Sequence, residues 1–382
     1  MNILHVITTL DVGGAEMHIL AQVQGQAERG HCVRVAYLKG EGRLREDFRW
    51  AGAAIVVGVG LDARSLFRLW PHLRWADIVH THLLKADMFG ALAATLAGRR
   101  ANLIASKHND EAMLKRPLIG RVHGFFGRLP QKTIVLSDHV GRFIAEFGRV
   151  PLKYQQRIYY GLDPKPFENA SRMTSEERAK VREEFGWTPE HVVFICVARF
   201  AAQKAHDVLL HGFARALRER TLSDPPLSLL LVGDDPFGDG RQRAEALARE
   251  LQLGLAVHFA GVRRDVARCV AASDAFVMTS LWEGLGLVFL EAMAASRPVL
   301  ATNVSAVPEV VVDQRTGLLV PPSEVAPLAA AMLKLARDPE LRARLGEAGH
   351  ERVLVKFALA RMVEETLAVY APHARRSARP AG

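Results

Sequence analysis

The sequence predicts an α/β protein built from two doubly wound domains, each a parallel sheet flanked by helices. Three observations carry that expectation. Short apolar, β-branched runs alternate with amphipathic helical stretches, as βαβ units require. The alternation stops at a polar segment bearing Pro164, Pro166 and Pro189 and then restarts. The 382 residues also fill two domains at roughly 100–200 residues each.

In the first run, strands are expected at Ile3–Ile7, Cys32–Leu38, Ile55–Val59, Asp77–Thr81, Leu103–Lys107, Lys132–Ser137 and Ile158–Tyr160. Helices are expected at Ala15–Arg29, Lys85–Ala97 and Asp138–Phe147. The break from Leu162 to Glu190 reads as helical at Ser175–Phe185. In the second run, strands are expected at Val192–Val197, Ser228–Val232, Val257–Ala260, Ala275–Thr279, Val299–Thr302 and Gly317–Val320. Helices are expected at Asp207–Leu217, Gln242–Leu251, Leu287–Ala295 and Ala326–Arg337. The organisation is therefore a domain over 1–165, a linker over 166–190 and a second domain over 191–347. Residues 348–382 form a C-terminal helix, expected to cross back towards the first domain, and a frayed basic tail.

Cys32, Cys196 and Cys269 lie too far apart for a disulfide framework or a CxxC metal site. The longest apolar runs, such as Leu227–Val232, are strand length, below the roughly 18 residues of a spanning helix. The N-terminus MNILHVITTLDVGG lacks a basic leader region. A cytoplasmic protein is expected. Charge is uneven: residues 1–165 hold 23 Lys and Arg against 14 Asp and Glu, so the whole net charge of +9 lies there. Nine basic residues fall within 112–157, opposed only by Asp138 and Glu146. A solvated helical face, an anionic membrane surface or anionic acceptor, and nucleic acid all compete to explain them. Interleaved aromatics, an RNP-like motif and a zinc finger are all missing, which weighs against nucleic acid.

Ligands of doubly wound sheets bind outside the carboxyl ends of the strands, so the loops there matter most. After the first strand, Gly13 and Gly14 open a helix in Asp11-Val-Gly-Gly-Ala-Glu16. That is either an anion site or simply a tight turn. After Val192–Val197 come Arg199 and, five residues on, Lys204. Two cations there suit a departing diphosphate, or else a solvated surface. The strongest feature is Thr279-Ser-Leu-Trp-Glu283-Gly-Leu-Gly286-Leu-Val-Phe-Leu-Glu291. Eight helical residues rise about 12 Å, so Glu283 and Glu291 cannot clamp one metal; they suit hydroxyls at two ends of an extended ligand. Glu283 as a helix cap and Glu291 as a helix-face charge are the plainer alternative. The neighbours of Glu291 are all apolar, however, and a carboxylate there calls for a specific partner. His80 and His82 face one way from a strand, and without a third ligand they read as hydrogen-bonded histidines. His108, at the end of the next strand, is the better functional imidazole. Asp234-Asp235 reads as a turn.

In their order and spacing these residues resemble glycosyltransferase family 4, over nearly the whole chain. The resemblance is carried by Gly-Gly-Ala-Glu at 13–16 and Tyr-Gly-Leu-Asp-Pro-Lys-Pro-Phe at 160–167. In the second half it is carried by Ala-Arg-Phe-x-x-Gln-Lys, Leu-Val-Gly-Asp, Val-x-Phe-x-Gly, the Glu283-x7-Glu291 loop and Thr-Gly-Leu-Leu-Val-Pro-Pro. It implies two Rossmann-like domains facing across a cleft, the GT-B fold, and a retaining transferase that uses a nucleotide-diphosphosugar, with UDP preferred and GDP the alternative. By that resemblance Arg199 and Lys204 hold the diphosphate, Glu291 the ribose hydroxyls and Glu283 the donor sugar. The amides from Gly284 through Leu285 and Gly286 to Leu287 approach sugar and phosphate. His108 lies near the sugar and acceptor, with Gly13 and Gly14 by the phosphate or acceptor. A phosphate oxygen of the leaving group assists deprotonation of the acceptor, so neither a protein base nor a metal or other cofactor is expected.

The acceptor is expected to be a saccharide or a lipid-linked molecule, met at the inner membrane surface through the basic first half, and no nucleic acid is expected. Two departures stand out. Ala205 follows Lys204 where glycine is common, and Ser305-Ala306 precede Pro308-Glu309 where two glycines are common; Glu309 is at most a peripheral member of the site. The rivals are a nucleotide-sugar 2-epimerase of the same architecture and a non-catalytic two-domain binding protein.

Overall fold

A computed structural model describes residues 1–374 except Val12, Ala63, Pro236 and Phe237. The chain divides into two compact units, residues 1–161 with the segment from 357 onward, and residues 162–356.

The first unit holds strands β1 (Asn2–Ile7), β2 (Cys32–Tyr37), β3 (Ala53–Gly58), β4 (Ile78–His82), β5 (Leu103–Lys107), β6 (Lys132–Val135) and β7 (Gln155–Arg157). Their order is β3-β2-β1-β4-β5-β6-β7, with every pairing parallel. Such a sheet is covered on both faces, so its central strands can be apolar throughout. Ile3 and Ile7 of β1, Ile78 of β4 and Ile104 of β5 join a core that also takes in Ile19, Val23, Val363 and Tyr370. Leu4 and Val6 join Val79, Leu69, Leu73 and Ala91 on the opposite face. The strand period of two does this sorting.

The second unit holds β8 (Val192–Val197), β9 (Leu227–Val232), β10 (Val257–Gly261), β11 (Ala275–Met278), β12 (Val299–Thr302) and β13 (Gly317–Val320). They are ordered β10-β9-β8-β11-β12-β13, again parallel. In each sheet the order reverses direction once, between β1 and β4 and between β8 and β11. Such switch points leave a crevice at the strands' carboxyl ends.

Several expectations need correcting. The stretch 166–190 is no linker: helices Lys165–Ser171 and Ser175–Glu183 pack on helix Val266–Ala272 within the second unit. Arg182 fixes the second of them, its Nη1 donating to Ala272 O at 3.0 Å and to Asp274 Oδ2 at 3.2 Å. The expected C-terminal helix is two helices, Pro339–Lys356 in the second unit and Leu359–Tyr370 in the first. The expected tail from 375 lies outside the described residues. The strand expected at Ile158–Tyr160 lies three residues earlier, at Gln155–Arg157. Ile158 and Tyr160 are buried after the edge strand ends, so their apolar character marks packing rather than ladder pairing.

Candidate functional site

In the second unit the loops that follow β8 and β11 leave neighbouring strands at the switch point. After β8 the chain passes Ala198 and Arg199 and makes a short turn, Ala202–Lys204, before helix His206–Glu219. Gly233, at the end of β9, lets this loop sit close, because any Cβ there would collide with Ala198 O. After β11 the chain runs through Thr279–Gly286 into helix Leu287–Ala294. Gly286 has φ of 83°, and a Cβ there would meet the Phe289 ring, so only glycine suits the position. No side chain caps that helix.

The two loops are laced together. Gln203 Nε2 donates to Trp282 O at 2.7 Å, Leu281 N donates to Gln203 O at 2.8 Å, and Thr279 Oγ1 donates to Ala205 O at 2.9 Å. Lys204 Nζ donates to Glu283 Oε1 at 2.5 Å, and Ser280 Oγ donates to the same oxygen at 2.6 Å. Both members of the pair are largely withdrawn from water, with side chains 13% and 6% exposed. Glu283 Oε2 has no partner among the described residues. Arg199 is exposed and makes no side-chain hydrogen bond or ion pair among them either.

Glu291, half-buried on helix Leu287–Ala294, has no partner for its carboxyl among the described residues, and burial alone pushes it up to about 7. Thus the structure joins Lys204 to Glu283, places Gly284–Leu287 in the same turn, and leaves Arg199 and Glu291 unengaged. Asp234-Asp235 is a turn, as expected: Asp235 Oδ1 accepts from Gly238 N at 3.1 Å and Oδ2 from Arg241 N at 3.0 Å, opening helix Gly240–Glu250. Glu309 lies beyond the Ser305-Ala306 turn in helix Val307–Val310.

The first unit's switch point is filled differently. His5 of β1 sits in register with His80 of β4, and His82 shares that face. The His5 and His82 rings are linked by Nδ1 and Nε2 at 2.8 Å, and His82 Nδ1 lies 3.1 Å from His108 Nε2. His108 Nδ1 lies 2.8 Å from Tyr160 Oη, and His5 Nε2 lies 2.9 Å from Gln26 Oε1. One proton assignment satisfies the chain: the Tyr160 hydroxyl donates to His108, each imidazole donates from Nε2 to the next Nδ1, and His5 donates to Gln26. A branch follows the same logic, with Tyr370 donating to His80 Nδ1 at 2.6 Å and His80 Nε2 to Ser106 Oγ at 2.7 Å. All these imidazoles are then neutral. Burial pushes His5 down to about 4 and His108 to about 3, and His18, His80 and His82 well below the usual histidine range.

His5 thus supplies the third imidazole that a metal beside His80 and His82 would need, with ring nitrogens within 4.8 Å of one another. Yet these nitrogens already hold hydrogen-bond partners, so a metal would have to break the chain. His108 stands where expected, at the carboxyl end of β5, but it is buried with both ring nitrogens engaged, so it offers no free base. It lines a small pocket with Lys107, Asn109, Glu111, Leu114 and His123. Gly13 and Gly14 open helix Gly14–Glu28, whose His18 stacks on Tyr160 at 4.1 Å, so the first-unit residues converge on one end of the sheet. Sequence reasoning missed His5, Gln26, Tyr160, Tyr370 and Ser280; only the Ser-x-x-Glu spacing into a turn hinted at the last.

The family model for glycosyl transferases group 1 matches residues 177–352, and that for glycosyltransferase family 4 matches residues 12–165. A D-inositol 3-phosphate glycosyltransferase of Actinosynnema mirum is 35% identical, over 77% of this chain and 72% of its own. The chain belongs to glycosyltransferase family 4. A second member, the GDP-mannose-dependent monoacylated alpha-(1-6)-phosphatidylinositol monomannoside mannosyltransferase of Corynebacterium glutamicum, is 31% identical over 74% of this chain and 75% of its own. Anabaena HepE, solved in complex with UDP and glucose, superposes with a TM-score of 0.86 at 21% identity, over 97% of this chain and all of that one. That likeness establishes the GT-B fold. As a family 4 glycosyltransferase, the chain is a transferase of sugar residues, and no helix among its described residues is long and apolar enough to cross a membrane.

Proposed function

We propose that this glycosyltransferase moves a hexose or N-acetylhexosamine, with retention of configuration, from a UDP-sugar to a saccharide or lipid-linked acceptor in cell-envelope, exopolysaccharide or glycolipid synthesis. The observation that carries the reading is the set of unspent groups at the second unit's switch point. Lys204 has three N–H donors and spends one on Glu283. Two remain for a diphosphate, with the exposed Arg199 on the same loop. As the bond between the sugar's anomeric carbon and the phosphate oxygen breaks, charge accumulates on that oxygen, and both cations hold it more strongly than in the ground state. Glu283 keeps Oε2 for a donor-sugar hydroxyl. Glu291, without a partner among the described residues, would accept from the ribose diol. The released phosphate oxygen takes the acceptor's proton, so neither a protein base nor a metal is assigned.

UDP is the preferred donor base. The Corynebacterium relative is named for GDP-mannose, which makes GDP the competitor to test. A thermal-shift panel of UDP, GDP, ADP and their sugars, with and without EDTA, on wild type and Arg199→Ala decides. A ligand at 100 times its Kd stabilises by about 2.7 kcal/mol. The expected result is a metal-independent shift with UDP that the variant loses. No shift with any nucleotide overturns the donor site, and turnover of the nucleotide-sugar without acceptor favours an epimerase.

A further inference from the structure

We infer that helix Pro117–Phe126 of the first unit is the element that docks this protein on an anionic lipid surface. The inference rests on the lipid-side acceptor proposed above and names the face that would meet it. The helix is held by its inner side. Gly120 and Gly124 allow the close seat, since a Cβ at the first would strike Phe147 O and at the second the Arg149 side chain. His123 points inward, where its Nδ1 donates to Gly148 O at 2.6 Å. Apart from Arg121, what remains outside is apolar. Leu118 is 73% exposed, Val122 39% and Phe125 70%. At about 100° per residue these i, i+4 and i+7 positions form one stripe roughly 60° wide. Met113, in the preceding turn, adds a fourth exposed apolar side chain at 49%.

Cations flank the stripe. Arg116, Arg121 and Arg128 are exposed and form no ion pair among the described residues. No acidic residue occurs from 112 to 137. An apolar ridge rimmed by unpaired guanidinium groups matches a bilayer interface, where the ridge enters the acyl boundary and the cations meet lipid phosphates. Two other occupants fit less well. A symmetric dimer through this face would set the same arginines against each other, and a nucleic-acid backbone has no use for a central aliphatic ridge.

The test is co-sedimentation of the full chain with vesicles of phosphatidylcholine alone or mixed with phosphatidylglycerol, at low and high salt. Wild type should bind the mixed vesicles and release at high salt. Leu118→Ser with Phe125→Ser should weaken binding by about tenfold or more, and each Arg→Gln at 116, 121 or 128 by about fivefold. All five positions are exposed, so the fold should hold, and the UDP-induced thermal shift should persist in every variant as the control. Vesicle binding that is absent in wild type or unchanged in the variants overturns docking by this helix. So does a dimer that the serine variant dissociates, or salt-sensitive oligonucleotide binding that the glutamine variants lose. If docking fails while the UDP shift survives, only this inference falls. A lost UDP shift in wild type instead strikes the donor reading.

Discussion

The two sheets share one plan and use their switch points in opposite ways. Between β1 and β4 the polar groups largely satisfy one another: four imidazoles, Tyr160, Tyr370 and Gln26 lie buried and neutral in one hydrogen-bonded network, with His18 stacked beside it on Tyr160. Between β8 and β11 the polar groups are left partly unspent: among the described residues Arg199 is unpaired, Glu283 keeps one oxygen free and Glu291 has no partner. Buried polar groups are costly without partners. A closed network therefore reads as scaffold that fixes the pocket beside His108, and an open one as a site awaiting a ligand. The contrast also separates two lysine–carboxylate pairs of similar burial. Lys107 pairs with Asp87 in the closed half and Lys204 with Glu283 in the open half.

The largest effect that would break this comparison is acid. Unfolded histidines titrate near 6.5, whereas the four of the first-unit network and the neighbouring His18 are held well below by burial. The folded unit therefore binds fewer protons than the unfolded one. Its stability is full above about pH 6.5 and falls as pH drops towards the folded values. Each such histidine takes away about 1.4 kcal/mol per pH unit, and five together approach the whole stability of a domain within roughly two units. The second unit has fewer, chiefly His206, pushed down to about 4. Calorimetry from pH 7.5 to 5 should show the first unit's transition falling first. Two transitions that descend in step would break the contrast.

Next in size are the paired lysine variants. Lys204→Ala should slow transfer by about a hundredfold to a thousandfold through lost leaving-group stabilisation and shrink the UDP shift. Lys107→Ala should lower the melting temperature, because Asp87 is left as an uncompensated buried charge, yet keep the UDP shift at full size. Normal turnover in the Lys204 variant would remove the diphosphate assignment.

Much of the scaffold was legible because buried parallel strands read as continuous apolar runs. Twelve of the thirteen strands lie within two residues of their expected ends. Helices Ser65–Trp75 and Pro117–Phe126 were not legible: Pro71 sits inside one, and Gly120 and Gly124 inside the other, so tertiary packing overrides weak local propensity. At the site, turn chemistry betrayed Glu283 and Glu291. The Lys204–Glu283 bond joins residues 79 apart in sequence, and no periodicity reports that. His80 and His82 could be placed on one face, but the ring that completes them, His5, arrives only through the β1–β4 register.

Glu291→Gln sharpens the open half further. Because burial raises the folded carboxyl to about 7, ionising it costs stability as pH rises from about 4.5 through 7. The amide should therefore raise the melting temperature of the ligand-free protein at pH 8, by about 1–3 kcal/mol in stability. The same change should weaken nucleotide binding. In wild type, ribose hydroxyls favour the ionised form, so UDP affinity should decline as pH falls below 7, and the variant should lose that dependence. Calorimetric titration at pH 6 and 8 checks both signs.

The smallest effect concerns the two departures from family glycines. Ala205 has φ of 46° and Ser305 φ of 47°, the left-handed region that costs a side-chain-bearing residue about 1–2 kcal/mol. The glycine common there is thus a conformational requirement, and this chain meets it under strain. Ala205 joins the Lys204 turn to helix His206–Glu219, and its carbonyl accepts from Thr279, so the strain sits within the lacing of the open half. Glycine relieves the strain but enlarges the unfolded ensemble. Ala205→Gly and Ser305→Gly should then each stabilise by about 0.5–1 kcal/mol, read as a higher urea midpoint at constant slope. A midpoint that falls would mean the loop depends on the Ala205 methyl, itself buried, more than its backbone angle suffers from it.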